Sequence, residues 1–190
     1  MPITAAQAIT TLVPALAGCA MVGVGVPKFA TGLGIGLSAW TPTIVVNSTD
    51  TGTAGSGKGV PVPILIPQPL LYGNLFSGMT GQGLVGVMRP AFVLGLSQGL
   101  VLLYAQCVTN TAHVGVGVGA GAASFRPPPA LPFLQAGFAA VGMVGEGGVK
   151  MARALSQGLE RTFRSFVLPQ PIVGPPSPSG ASGRGVGNIL

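Results

Sequence analysis

The chain repeats itself. Gly23–Leu37 (GVGVPKFATGLGIGL) shares eight of fifteen residues, without a gap, with Gly86–Leu100 (GVMRPAFVLGLSQGL), 63 positions later. The shared residues include Pro27/Pro90, Phe29/Phe92, Leu33/Leu96 and Leu37/Leu100. A third copy follows after a further 59 positions, where Leu96-Ser97-Gln98-Gly99-Leu100 recurs at Leu155-Ser156-Gln157-Gly158-Leu159. A period of about 60 residues means that each unit is one supersecondary element that buries its apolar face only against its neighbours. The units are placed at 10–69, 70–132 and 133–190 of a single domain spanning 1–190, with a Pro/Gly/Ser-rich tail from about 169.

Each unit reads the same way. An apolar, Gly-punctuated stretch comes first. A second helix-like stretch follows, with apolar residues at helical spacing such as Phe92, Leu96, Leu100, Leu103 and Cys107. A strand-like run comes third (Thr43–Val46, Cys107–Val118, Ser165–Leu168), and a Gly/Pro/Ser-rich arm last (48–69, 109–132, 169–190). Pro27 and Pro90 suit the first turn of a helix, where a missing N–H costs nothing. Gly32/Gly36 and Gly95/Gly99 lie one turn apart on one helix face, which lets another backbone approach closely. Val114–Gly121 alternates with period two, as a strand does. Pro127-Pro128-Pro129 and Pro175-Pro176 favour extended chain. The expected fold class is therefore α+β: Gly-punctuated helical hairpins in three imperfect repeats, with extended strand and Gly/Pro arms and an extended C-terminal tail.

Composition then limits the function. Only 6% of residues are charged, against about a quarter in ordinary domains. Apolar residues make up 48%, and the mean hydropathy is +0.66. The chain is too apolar for ordinary disorder, and it lacks the glycine at every third position that collagen needs. A surface this short of charge is expected to be covered by other protein. Arms with open strand edges make sense only if they reach onto a neighbour. The net charge of +6 divides evenly. Lys28, Lys58, Arg89 and Arg126 stand against Asp50, and Lys150, Arg153, Arg161, Arg164 and Arg184 against Glu146 and Glu160. Only Lys150–Arg164 is a basic cluster. Without a dense stripe interleaved with aromatics, it reads as a solvated or intersubunit helix face and not as a nucleic-acid site.

Cys19 and Cys107 read as buried thiols acting as small hydrophobes, with no disulfide framework. Met1–Ala6 has no positive region of the kind that opens a secretory signal, so none is expected. Ala91–Val108 is strongly apolar, but it carries Ser97, Gln98 and Gln106 and lacks flanking Lys/Arg asymmetry. It is read as a helix buried on all sides in an oligomer rather than a membrane span.

The motifs that touch on chemistry fail on inspection. Gly52–Gly59 (GTAGSGKG) has the phosphate-loop spacing up to Lys58, but Gly59 stands where the Mg²⁺-binding hydroxyl belongs, and Val60-Pro61-Val62-Pro63 cannot open a helix behind it. Gly81–Gly86 (GQGLVG) fits G-x-G-x-x-G, but no clear strand precedes it and no acid lies between Asp50 and Glu146 to hold a ribose. His113 is the single histidine and shares its repeat position with Asp50, so the two belong to different copies and make no triad. Metal sites need several close His, Cys or carboxylate ligands, and the sequence offers none. Glu146 and Glu160 are too far apart in sequence to act as an acid/base pair. The aromatics Trp40, Tyr72, Tyr104, Phe29, Phe76, Phe92, Phe125, Phe133, Phe138, Phe163 and Phe166 read as core. No catalytic, cofactor-binding or metal-ligating residue is assigned, and no cofactor is expected.

In texture the chain resembles the small Gly-rich virion proteins of tailed bacteriophages, particularly those with contractile tails. The residues that carry the resemblance are Leu96–Val108 with Thr109-Asn110, the G-x-G-x-G arm Gly115–Gly121, and the C-terminal PPSPSGASGRGVGNIL, Pro175–Leu190. The resemblance implies a non-enzymatic structural subunit of a tail or baseplate, or secondarily of a neck or capsid, located in the virion. Its partners would be other virion proteins and copies of itself, without nucleic acid or a small-molecule substrate. A membrane-active or membrane-inserted Gly-rich helical protein is the alternative.

Overall fold

The computed structural model describes, with their side chains, residues 4–41, 43, 68–106 and 128–162. They form six helices: α1 (Ala5–Gly18), α2 (Gly25–Trp40), α3 (Gln68–Gly81), α4 (Arg89–Ala105), α5 (Leu131–Ala140) and α6 (Glu146–Arg164). A 3-10 turn, Thr41–Thr43, follows α2. This overturns the expected α+β class for the body: the side chains that the structure describes pack into an all-helical core. The reason lies in where the class was read. It rested on the period-two stretch Val114–Gly121 and its counterparts, and the helical core draws on none of them. Apart from Thr43, no side chain of the strand-like runs is among those described.

The helices start and stop for local reasons. Thr4 Oγ1 accepts from the Gln7 N–H at 3.2 Å while Gln7 Oε1 accepts from the Thr4 N–H at 3.0 Å, a reciprocal cap that opens α1. Pro90 and Pro132 occupy the first turns of α4 and α5, where no helical N–H is lost. Pro14 sits inside α1 and removes the helical donor for the Thr10 carbonyl.

The ends of α1, α3 and α5 share one device. The N–H groups of Met21, Leu84 and Met143 donate to the carbonyls of Leu16, Met79 and Phe138, five residues back, at 2.9 to 3.0 Å. The residue before each is left-handed: Ala20 at φ 60°, Gly83 at 71° and Gly142 at 78°. This is the Schellman stop, which wants glycine at that position. Ala20 is the one copy that carries a Cβ there. Ala20→Gly is expected to raise the unfolding free energy by about 1 kcal/mol, since a left-handed L-residue costs roughly 1–2 kcal/mol and glycine returns part of that as unfolded-state entropy. Urea titration followed by circular dichroism checks it; a loss of stability would mean that Ala20 is held there by contacts worth more than the strain.

Helices pack through glycine. A Cβ on Gly36 of α2 would lie 2.8 Å from Leu75 Cα of α3, one on Gly99 of α4 3.0 Å from Leu134 Cα of α5, and one on Gly158 of α6 3.0 Å from Leu12 Cα of α1. Gly36, Gly99 and Gly158 are repeat equivalents, as are Leu75, Leu134 and Leu12. One turn away, Gly32 meets Gly78 and Gly95 meets Gly137 backbone to backbone. In the third pair the corresponding positions hold Ala154 and Ala15, both buried. The sequence positions that read as helix punctuation are thus helix-interior contact points.

Each helix packs on the one before and the one after, and α6 packs on α1, so the main neighbours form a closed cycle. Its interior is filled by Leu12, Leu33, Leu37, Leu75, Leu96, Leu100, Leu134, Leu155 and the aromatic side chains. Trp40 meets Tyr104 edge-on with ring centres 4.8 Å apart, and Phe92 stacks on Phe138 at 5.4 Å.

Candidate functional site

Glycine contacts run Gly32 to Gly78 and Gly36 to Leu75, so α2 and α3 are antiparallel. The same holds for α4 and α5, and the short turns reverse the chain between α1 and α2, α3 and α4, and α5 and α6. All three short turns therefore lie at one end of the body, and the long connections lie at the other. At the turn end Val22, Val85 and Val144 are 79%, 77% and 71% exposed. These three are repeat equivalents. Val24 and Val87, also equivalent, are 92% and 95% exposed, and Met88 is exposed beside them. In the third turn the matching position is Glu146, which pairs with Lys150 at 2.7 Å. Lys28, at the start of α2, is exposed as well.

Arg89 fixes the second turn. Its guanidinium lies 4.0 Å from the Phe76 ring centre, and its Nη1 donates to Thr80 Oγ1 and to the Leu84 carbonyl, both at 2.9 Å. A cation over an aromatic face and two donated bonds hold α3 against α4 at the turn. Nothing in the linear sequence pointed to this role.

The serines of the repeated LSQGL help tie the start of one helix to the interior of another. Gln68 Nε2, at the start of α3, donates to Ser97 Oγ at 3.0 Å, and Ser97 donates on to the Leu94 carbonyl at 2.9 Å. Ser156 Oγ donates to Glu160 Oε1 at 2.6 Å, and the same oxygen accepts the Ala130 N–H just before α5 at 2.9 Å. Glu160 thereby caps another helix from a distance, at the end where a negative charge is favoured. Glu160→Ala is expected to cost about 1–3 kcal/mol, because the Ala130 N–H loses its acceptor. Thermal melts of wild type and variant check it; an unchanged melt would mean that water replaces the carboxylate.

The sequence motifs fall as follows. Gly81–Gly86 closes α3 and turns into α4, so it follows a helix instead of a strand and is no dinucleotide fingerprint. The Lys150–Arg164 stretch belongs to α6. Arg153, Gln157 and Arg161 are exposed while Ala152, Leu155, Leu159 and Thr162 are buried, so Lys150, Arg153 and Arg161 stand on a solvated helix face. Cys19 is half-buried with a free thiol. The apolar run Ala91–Val108 supplies most of α4, whose Val93, Leu96, Leu100 and Leu103 are core. Among the described residues no helix is long and apolar enough to cross a membrane, and no three metal-ligating side chains cluster. The side chains of Asp50, Lys58, Cys107 and His113 lie outside those described. Two shallow grooves flank α4. One is lined by Gln68, Pro69, Tyr72, Pro90, Ala91 and Leu94. The other runs past Gln68, Gln98, Leu102 and Ala136. Neither brings together acids, bases or nucleophiles.

Comparison with protein-family models, with curated proteins and with solved structures finds no match to the chain.

Proposed function

We propose that the protein is a non-enzymatic structural subunit of a large assembly, and that the assembly is a bacteriophage virion, in its tail or baseplate. The observation that carries the reading is the distribution of exposed apolar side chains. Ile35, Leu70, Leu94 and Leu102 are exposed on the helix flanks, while Lys150–Glu146 is the one ion pair among the described residues. Repeated apolar exposure on a charge-poor surface is what a surface covered by other molecules presents. The virion assignment rests on the resemblance of the Gly-rich helices and the C-terminal PPSPSGASGRGVGNIL alone. In this reading the Gly/Pro-rich segments that connect the helix pairs act as arms onto neighbouring subunits.

The test is the size of the native assembly, taken by particle fractionation from the source with mass spectrometry of each fraction. Recovery in fixed stoichiometry with tail or capsid proteins is the expected result. Recovery as a free monomer would overturn the assembly reading.

A further inference from the structure

We infer that the turn end of the helical body docks peripherally on an anionic lipid surface. The inference goes beyond the subunit reading and does not depend on it, because it concerns the end of the body opposite the arms. Three turns present Val22, Val24, Val85, Val87, Met88 and Val144 at one end, five of them more than two-thirds exposed. The turns stand on well-packed helices and are closed by repeated backbone bonds, so the side chains are held outward rather than folded in.

The chemistry of this surface separates the possible occupants. Specific protein interfaces concentrate Trp, Tyr and Arg anchors in shaped pockets, and the turn end has aliphatic side chains on glycine-rich turns. A bilayer asks for less: apolar side chains that enter the headgroup boundary, with cations beside them to meet lipid phosphate. Among the described residues the charged groups at this end are Lys28, Arg89, and Lys150 with its partner Glu146, a net positive set in which Arg89 is turned onto Phe76 and Lys28 is the cation left facing solvent. Lys28 and Lys150 are exposed. A second copy docked turn end to turn end would set these cations against one another, a like-charge juxtaposition that disfavours self-association there. The helices themselves are too short or too polar to cross, so the contact is one of docking and not of insertion.

Vesicle co-sedimentation of the full chain tests this, with phosphatidylcholine alone and with about a third of it replaced by phosphatidylglycerol. The expected result is sedimentation with the anionic vesicles that weakens with added salt. The triple variant Val22→Ser, Val85→Ser, Val144→Ser is expected to lose about tenfold or more in vesicle affinity, with its helical circular dichroism unchanged because all three side chains are exposed. Lys28→Glu with Lys150→Glu is expected to lose binding to the anionic vesicles by itself, which keeps the test open should the valine variant fold poorly. Three results would overturn the inference. The wild type could stay in the supernatant with anionic vesicles. The triple variant could bind as well as the wild type. Or the triple variant could change native mass without lipid, which would make the turn end a protein–protein interface.

Discussion

Gly137→Ala is expected to destabilise the protein by about 3 kcal/mol, at the upper end of what overpacking usually costs. The added methyl would collide with the Gly95 carbonyl oxygen, and would stand 2.6 Å from Gly99 N and 2.9 Å from Gly99 Cα. All three are backbone atoms, so no rotamer change relieves the clash, and α4 and α5 must move apart. The third interface accepts Ala15 and Ala154 in the corresponding places, which shows that a wider separation is attainable in kind. At Gly137 it would also lift Phe138 off Phe92 and Leu134 off Gly99. Gly73→Ala is the control. That position is in α3 with nothing within 4 Å of a new Cβ, so the substitution should stabilise by about 0.5–1 kcal/mol through helix propensity. The measurement is a pair of denaturation curves. Opposite signs at the two glycines are the expected outcome; equal effects would mean that the helices are not held at the observed spacing.

Trp40→Ala is expected to cost about 3–5 kcal/mol. Trp40 and Tyr104 are buried and meet edge to face, joining α2 to α4 across the interior near the end where the long connections leave. Truncation leaves a cavity lined by groups fixed in two helices, and strips Tyr104 of an aromatic contact worth roughly 0.5–1.5 kcal/mol. Trp40→Phe should recover more than half of the loss. Trp40 is the single tryptophan, so circular dichroism and not fluorescence must follow the transition. A loss below about 1 kcal/mol would show that the interior repacks around the gap.

Much of the helical body could be read from particular residues. The glycines at Gly32/Gly36 and Gly95/Gly99 marked a close-approach face, and the contacts lie there. Pro90 marked the first turn of α4. Phe29, Trp40, Tyr72, Phe76, Phe92, Tyr104, Phe133 and Phe138, read as core, lie in or against it. The fold class was misread because a period-two run is a local signal, and the core is assembled from other parts of the chain. The turn valines were missed because exposed and buried valines look alike in a string; only the Schellman stop, with its left-handed residue, sets them on a turn. Arg89 and Glu160 were missed for a related reason. Their value comes from Phe76, Thr80 and Ala130, partners that the fold rather than the linear sequence brings into bonding distance.

Because α6 returns to α1, the six helices form a circuit with no outermost member. An open helical array frays from its ends, and each terminal unit can open alone. Here every helix has two neighbours, so releasing any one breaks two seams at once. Hydrogen exchange should accordingly find one slow class of amides spread over all six helices, with the central residues of α1 and α6 protected as well as those of α3 and α4. A single widened seam, as at Gly137, would turn the circuit into an array with two edges, and those two helices would then exchange first.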